Sequence, residues 1–190
     1  MSNKESVIIC GFPGVGKTYA FDHAEELGLK LQDSDSSHFH WIYAEDDHEF
    51  KNPLTNEFGD KIVNPKWPDN YIQYIELTGR EQEVKPDFIF VSTHDEVIKA
   101  LKNKHLETYI LIPSIGMKDK YLEKYKERGS SETFIELMDK KWKDFIMNAM
   151  SFSSNEISVF LLNDEIEAVY DFIKSFPDIP GWIKPVAFDN

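Results

Sequence analysis

Cysteine occurs once in the 190 residues, at Cys10, so no internal disulfide can form and a reducing compartment is expected. Its place at the end of an apolar run marks it as a small core residue rather than a reactive thiol. Arginine is almost as scarce, with Arg80 and Arg128 alone. Basic side chains number 21 against 34 acidic ones, leaving a net charge of −13. Phosphate neutralisation supplies most non-specific affinity for nucleic acid, so this balance argues against a nucleic-acid partner. No apolar run approaches the length of a membrane span. The polar Met1–Ser6, followed only by Val7–Cys10, makes no signal peptide, and a soluble cytoplasmic protein is expected. Repeats, low-complexity tracts and Gly/Ser/Pro linkers are missing too, which points to a single domain over 1–190.

What is present suits a folded core: 41% of residues are apolar and 14% aromatic. Short apolar runs alternate with helical periods. Strands are expected at Val7–Cys10, Leu29–Gln32, Asp87–Val91, Thr108–Ile112 and Ile157–Leu162. Between them, Ala20, Phe21, Ala24 and Leu27 share a helix face that Gly28 ends at C′. Thr93 and Glu96 have the spacing of a capping box for the next helix. Met117–Arg128 and Ser131–Met150 read as two helices broken at Gly129. The second carries a stripe of Phe134, Met138, Trp142, Phe145 and Ala149. A last helix bears Ile166, Val169, Tyr170 and Ile173. In residues 36–85, Phe39, Trp41, Ile42 and Phe50 suggest one or two helices, Asn52-Pro53 and Asn64–Pro68 break the chain, and a helix carries Tyr71, Ile72 and Ile75. Strands alternating with helices predict a parallel sheet, since parallel neighbours need crossovers, and so a three-layer α/β/α domain.

Gly11-Phe12-Pro13-Gly14-Val15-Gly16-Lys17-Thr18 fits G-x-x-x-x-G-K-[ST] between an apolar strand and an amphipathic helix. Polyphosphate oxygens must approach the backbone closely, so glycines stand where a Cβ would clash or φ must be positive. Gly11, Pro13, Gly14, Val15, Gly16, Lys17 and Thr18 are therefore the candidate ATP-binding residues. Lys17 reaches the β/γ-phosphates, and the Thr18 hydroxyl ligates Mg²⁺. Asp33-Ser34-Asp35 falls at the carboxyl end of the second strand, where ligands bind in open α/β sheets. One carboxylate, Asp33, is placed on the Mg²⁺ shell and Asp35 on the acceptor. The alternative use of this turn is an Asx-type turn or helix cap.

A P-loop opening the chain, five short strands and an acidic turn after the second resemble the nucleoside monophosphate kinase group. Asp33-Ser34-Asp35 resembles the Asp-x-Asp of its shikimate and gluconate branch. The stretches Asn64–Tyr71, Phe90–Asp95 and Tyr121–Gly129, with Phe134-Ile135 and Trp142, are similar to small phage-encoded adenylate and deoxynucleotide kinases. The resemblance covers residues 5–150. It implies a P-loop kinase fold with a five-stranded parallel sheet, an acceptor-binding insert at 36–85, and a helical lid with its following helix at 116–150. It also implies Mg²⁺-dependent transfer of the ATP γ-phosphoryl to a nucleoside or deoxynucleoside monophosphate. In such kinases several arginines clamp the phosphates, whereas this chain has two. A hydroxyl acceptor, with Asp35 as base, and a non-kinase NTP-binding regulatory or assembly protein with slow hydrolysis stay open as alternatives.

In the lid region Lys118, Lys120, Lys124, Lys126 and Arg128 face Asp119, Glu123 and Glu127, a basic surplus in an acidic chain. Arg128, beside Gly129, is expected to contact the transferring phosphate. Phe39, Trp41, Trp67 and Tyr71 are candidates to stack on an acceptor base or simply to pack. Asn70 reads a base edge or caps its helix, Thr93 caps, and His94 is a weaker acceptor contact. His38, His40 and His48 near Asp46, Asp47 and Glu49 match no closed zinc spacing and read as surface.

Overall fold

The computed structural model describes residues 6–43, 61–80 and 85–175. Five strands form one parallel sheet: β1 (Val7–Gly11), β2 (Leu31–Asp33), β5 (Phe88–Val91), β6 (Thr108–Pro113) and β7 (Ile157–Leu162). They lie in the order β2-β5-β1-β6-β7. Ile9 of the central strand pairs with Phe90 on one side and Tyr109 on the other. β5 and β6 are buried along their whole length, as strands covered on both faces must be. Helices flank the sheet, and the architecture is three-layer α/β/α.

The helices are α1 (Lys17–Asp22), α2 (Ala24–Leu27), α3 (Ser37–His40), α4 (Asp69–Arg80), α5 (Asp95–Asn103), α6 (Lys118–Glu127), α7 (Glu132–Met150) and α8 (Val169–Ser175). The crossover from β1 to β2 runs one way along the sheet, and those leading to β5, β6 and β7 run the other. With right-handed crossovers, α1 covers one face while α4, α5 and α7 cover the opposite one. The packing agrees: α1 contacts α8, α4 contacts α5, and α7 lies on β6. The chain leaves β1 and β5 toward opposite faces, so a crevice opens between their carboxyl ends.

Several expectations are corrected. Trp41 and Ile42 are not helical. Only Ser37–His40 is, and Trp41–Tyr43 (β3) pairs antiparallel with Lys61–Val63 (β4) in a ribbon outside the main sheet. Aromatic and β-branched residues on both segments favour that pairing. Phe50 and the Asn52-Pro53 breaker lie outside the described residues. The first helix is interrupted at His23, whose ring nitrogen bonds the Tyr19 carbonyl at 2.8 Å, and Phe21 is 42% exposed rather than on a core face. β2 starts two residues late, at Leu31. Thr93 does not cap: the N-cap of α5 is His94, without a side-chain cap bond. In the α7 stripe Met138, Trp142 and Ala149 are buried, but Phe145 is half-exposed and Ile146 takes the core position. Gly28 does end α2 in the left-handed region. Among the described residues no helix is long and apolar enough to cross a membrane.

Candidate nucleotide site

Phe12 leaves β1 with its N–H on the Leu111 carbonyl, and Val15 N–H turns back to the Phe12 carbonyl at 3.2 Å. Gly14 and Gly16 both hold positive φ, 82° and 86°, a region open to glycine at no steric cost. Gly16 then caps α1. Among the described residues no backbone carbonyl accepts from the N–H groups of Gly14, Gly16, Lys17 or Thr18. Donors left unsatisfied at a helix start are of the kind that can take an anion.

The loop is held from outside as well as by its own turns. A Cβ on Gly14 would lie 2.9 Å from the Tyr125 ring of α6. The Tyr125 hydroxyl donates to the Pro13 carbonyl at 2.8 Å. On the other flank, Val169 N–H of α8 donates to the Val15 carbonyl at 2.9 Å. Tyr121 and Tyr125 are both fully buried. Sequence reasoning gave neither tyrosine a role at the loop. Their i,i+4 spacing on one face was the available signal.

Lys17 Nζ donates to the Gly11 carbonyl at 2.7 Å, folding the side chain back over the loop. Burial holds its ammonium below the ordinary lysine range. Asp33 opposes that most, with Asp35 adding to the opposition, while Arg128 works in the same direction as burial. Lys17 and the Thr18 hydroxyl both favour the charged form of the Asp33 carboxyl, which places them in its neighbourhood. Burial raises the Asp33 pKa, and the Lys17 charge pulls it back most strongly. Ser34 Oγ, between the two carboxylates in sequence, is buried without a hydrogen-bond partner. A hydroxyl and a carboxylate in one neighbourhood at the loop's exit suit a hard cation that keeps waters and phosphate oxygens as its other ligands. The residues present therefore fit Mg²⁺.

Asp35 is exposed, and its Oδ1 accepts the Ser37 N–H at 2.8 Å, an Asx-type turn that starts α3. Arg128 is exposed also. Its guanidinium lies 4.7 Å from the Tyr125 ring centre and 5.5 Å from that of Phe134, with Nε on Ser130 Oγ at 2.8 Å. The left-handed Gly129 belongs to a Schellman stop, in which Ser130 N–H reaches the Tyr125 carbonyl and Gly129 N–H that of Lys126. Of the α6 lysines, Lys118 pairs with Asp139 and Lys120 with Glu167, both at 2.7 Å, and Lys124 lies over the Tyr121 ring.

The aromatic candidates stack on each other. His40 sits between Trp41 and Trp67, at 4.3 and 4.5 Å, and meets the His94 ring edge-on at 5.3 Å. Phe39 packs on Tyr71, whose buried hydroxyl donates to the Ser34 carbonyl at 2.9 Å. Asn70 Nδ2 donates to the Phe39 carbonyl, fastening α3 to α4. Burial and the neighbouring His40 lower the His94 pKa. His38 is exposed. Asp46, Asp47, His48 and Glu49 lie outside the described residues.

No protein-family model matches the chain, and no curated protein matches it either.

Proposed function

We propose that the chain is a Mg²⁺-dependent kinase that moves the γ-phosphoryl of ATP to a nucleoside or deoxynucleoside monophosphate. The observation that carries this reading is the Lys17 ammonium seated on the Gly11 carbonyl at 2.7 Å, with the Asp33 carboxylate acting on it electrostatically. A nucleotide offers phosphate oxygens in place of that carbonyl, and Lys17 has only to swing from one acceptor to the other. Magnesium bound by Thr18 and Asp33 supplies charge neutralisation on the β- and γ-phosphates. The loop amides hold the polyphosphate, Lys17 balances charge that builds toward the leaving oxygen, and Arg128 approaches from the end of α6. A monophosphate acceptor is already ionised, so no general base is required. Catalysis is then positioning and electrostatics.

The test is ADP release from ATP·Mg²⁺ across a panel of nucleoside monophosphates, nucleosides and small polyols. Acceleration by monophosphates is expected. Acceleration by alcohols alone transfers the reading to a hydroxyl kinase, and no acceleration leaves an NTP-binding protein. Asp35→Asn separates the two kinases. As an orienting residue it raises acceptor KM with kcat held, whereas a general base would lose roughly 10²–10⁴ in kcat.

A further inference from the structure

A cleft of about 450 Å³ opens beside the phosphate loop and adjoins the aromatic cluster around His40 through His94. Phe12 and Pro13 of the loop form one side, and Thr93, His94, Asp95 and Glu96, which follow β5, form another. It therefore lies at the crevice between the carboxyl ends of β1 and β5, where the chain departs to opposite faces. The third wall is α7, through Phe134, Met138 and Phe145.

Its chemistry is asymmetric. The walls are aromatic and aliphatic, the polar rim carries two carboxylates, and among the described residues no lysine or arginine lines it. A phosphate would be repelled there, and a planar uncharged ring would be well covered. Asp95 is already engaged, its Oδ1 accepting from Asn148 Nδ2 at 2.7 Å. The Glu96 side chain has no hydrogen-bond or ion-pair partner among the described residues. An ionised carboxylate only accepts, so it selects ligand edges that carry N–H donors.

We propose that this cleft, rather than the 36–85 insert, holds the base of the acceptor, and that the base carries an exocyclic amino group donating to Glu96. The phosphate of the same molecule then lies past Pro13, on the side of Lys17 and Arg128. The proposal rests on the kinase reading for the identity of the ligand. Two pairs of monophosphates test the amino group: GMP against IMP, which differ in it alone, and CMP against UMP, in which a carbonyl oxygen replaces it and the ring N3 turns from acceptor to N–H donor.

Equilibrium binding of each to the full chain, with a non-hydrolysable ATP analogue and Mg²⁺ present, is the experiment. The amino-bearing member of each pair is expected to bind roughly tenfold tighter, about one charge-assisted hydrogen bond. Glu96→Gln, at an exposed position, brings the members of each pair to within about twofold of one another, on the same reasoning. Phe145→Ala, also at an exposed position, weakens every monophosphate roughly tenfold and leaves the ATP analogue unchanged. Equal binding within both pairs, no monophosphate binding, or unaltered binding in both variants overturns the proposal. If ADP release still responds to monophosphates in that last case, the kinase reading stands and only the cleft assignment falls. Binding with the predicted selectivity but no ADP release has the opposite meaning: the cleft assignment holds and the kinase reading fails.

Discussion

Gly14 concentrates the constraints on the loop in one residue. Its φ of 82° is strained for any residue with a Cβ, and that Cβ would meet the Tyr125 ring at 2.9 Å. Gly14→Ala is expected to cost about 1–3 kcal/mol in unfolding free energy, read from denaturant midpoints, and to weaken nucleotide binding as the loop shifts. An alanine variant with wild-type stability and nucleotide affinity would mean that α6 yields freely at this contact. Cys10, one residue before the loop, is fully buried, and burial pushes its thiol up to about 12. At pH 8 it is overwhelmingly protonated and shielded. A thiol-specific reagent should leave the folded protein unlabelled over hours and react once denaturant is added. Rapid labelling of the folded chain would contradict its place in β1.

At the scale of elements, the sequence is readable where one local rule dominates. Four of the five main strands are short apolar runs, Leu31–Asp33 being the exception, and each of the five overlaps the strand expected of it to within two residues. Gly28 and Gly129 mark helix ends because only a residue tolerant of positive φ closes those turns cheaply. The failures have equally physical causes. Trp41 and Ile42 pair with a ribbon partner some twenty residues on, which no local period announces. Thr93 and Glu96 have capping-box spacing, yet the chain stays extended through His94 and turns only at Asp95. In the candidate site, the loop residues and the Thr18–Asp33 neighbourhood were legible from motif and strand position. The tyrosine clasp on Pro13 and the cleft against α7 were not, because both depend on how distant helices dock. Ser131 was expected to begin the long helix, and its Oγ accepts the Phe134 N–H at 3.3 Å. Ser131→Ala should therefore lower stability by about 1 kcal/mol, seen as a shift in denaturation midpoint at constant slope.

Over the whole molecule, a chain of net charge −13 brings two of its cations, Lys17 and Arg128, within electrostatic reach of each other. Lys17 starts α1 and Arg128 ends α6, 111 residues apart in the chain. The parallel sheet makes this possible by delivering the loop, the acidic turn and the β5 exit to one edge. Anion binding by loop amides and Lys17 is the premise on which acceptor, lid and cleft all depend. Calorimetric titration of ATP·Mg²⁺ into wild type and Lys17→Ala, with turnover followed in parallel, tests it most directly. The wild type should bind. A variant with an unchanged circular-dichroism spectrum should bind more weakly and lose turnover by at least about 10²–10³, as expected on removing the cation over the transferring charge. A folded Lys17→Ala protein that binds and turns over ATP like wild type would contradict the account.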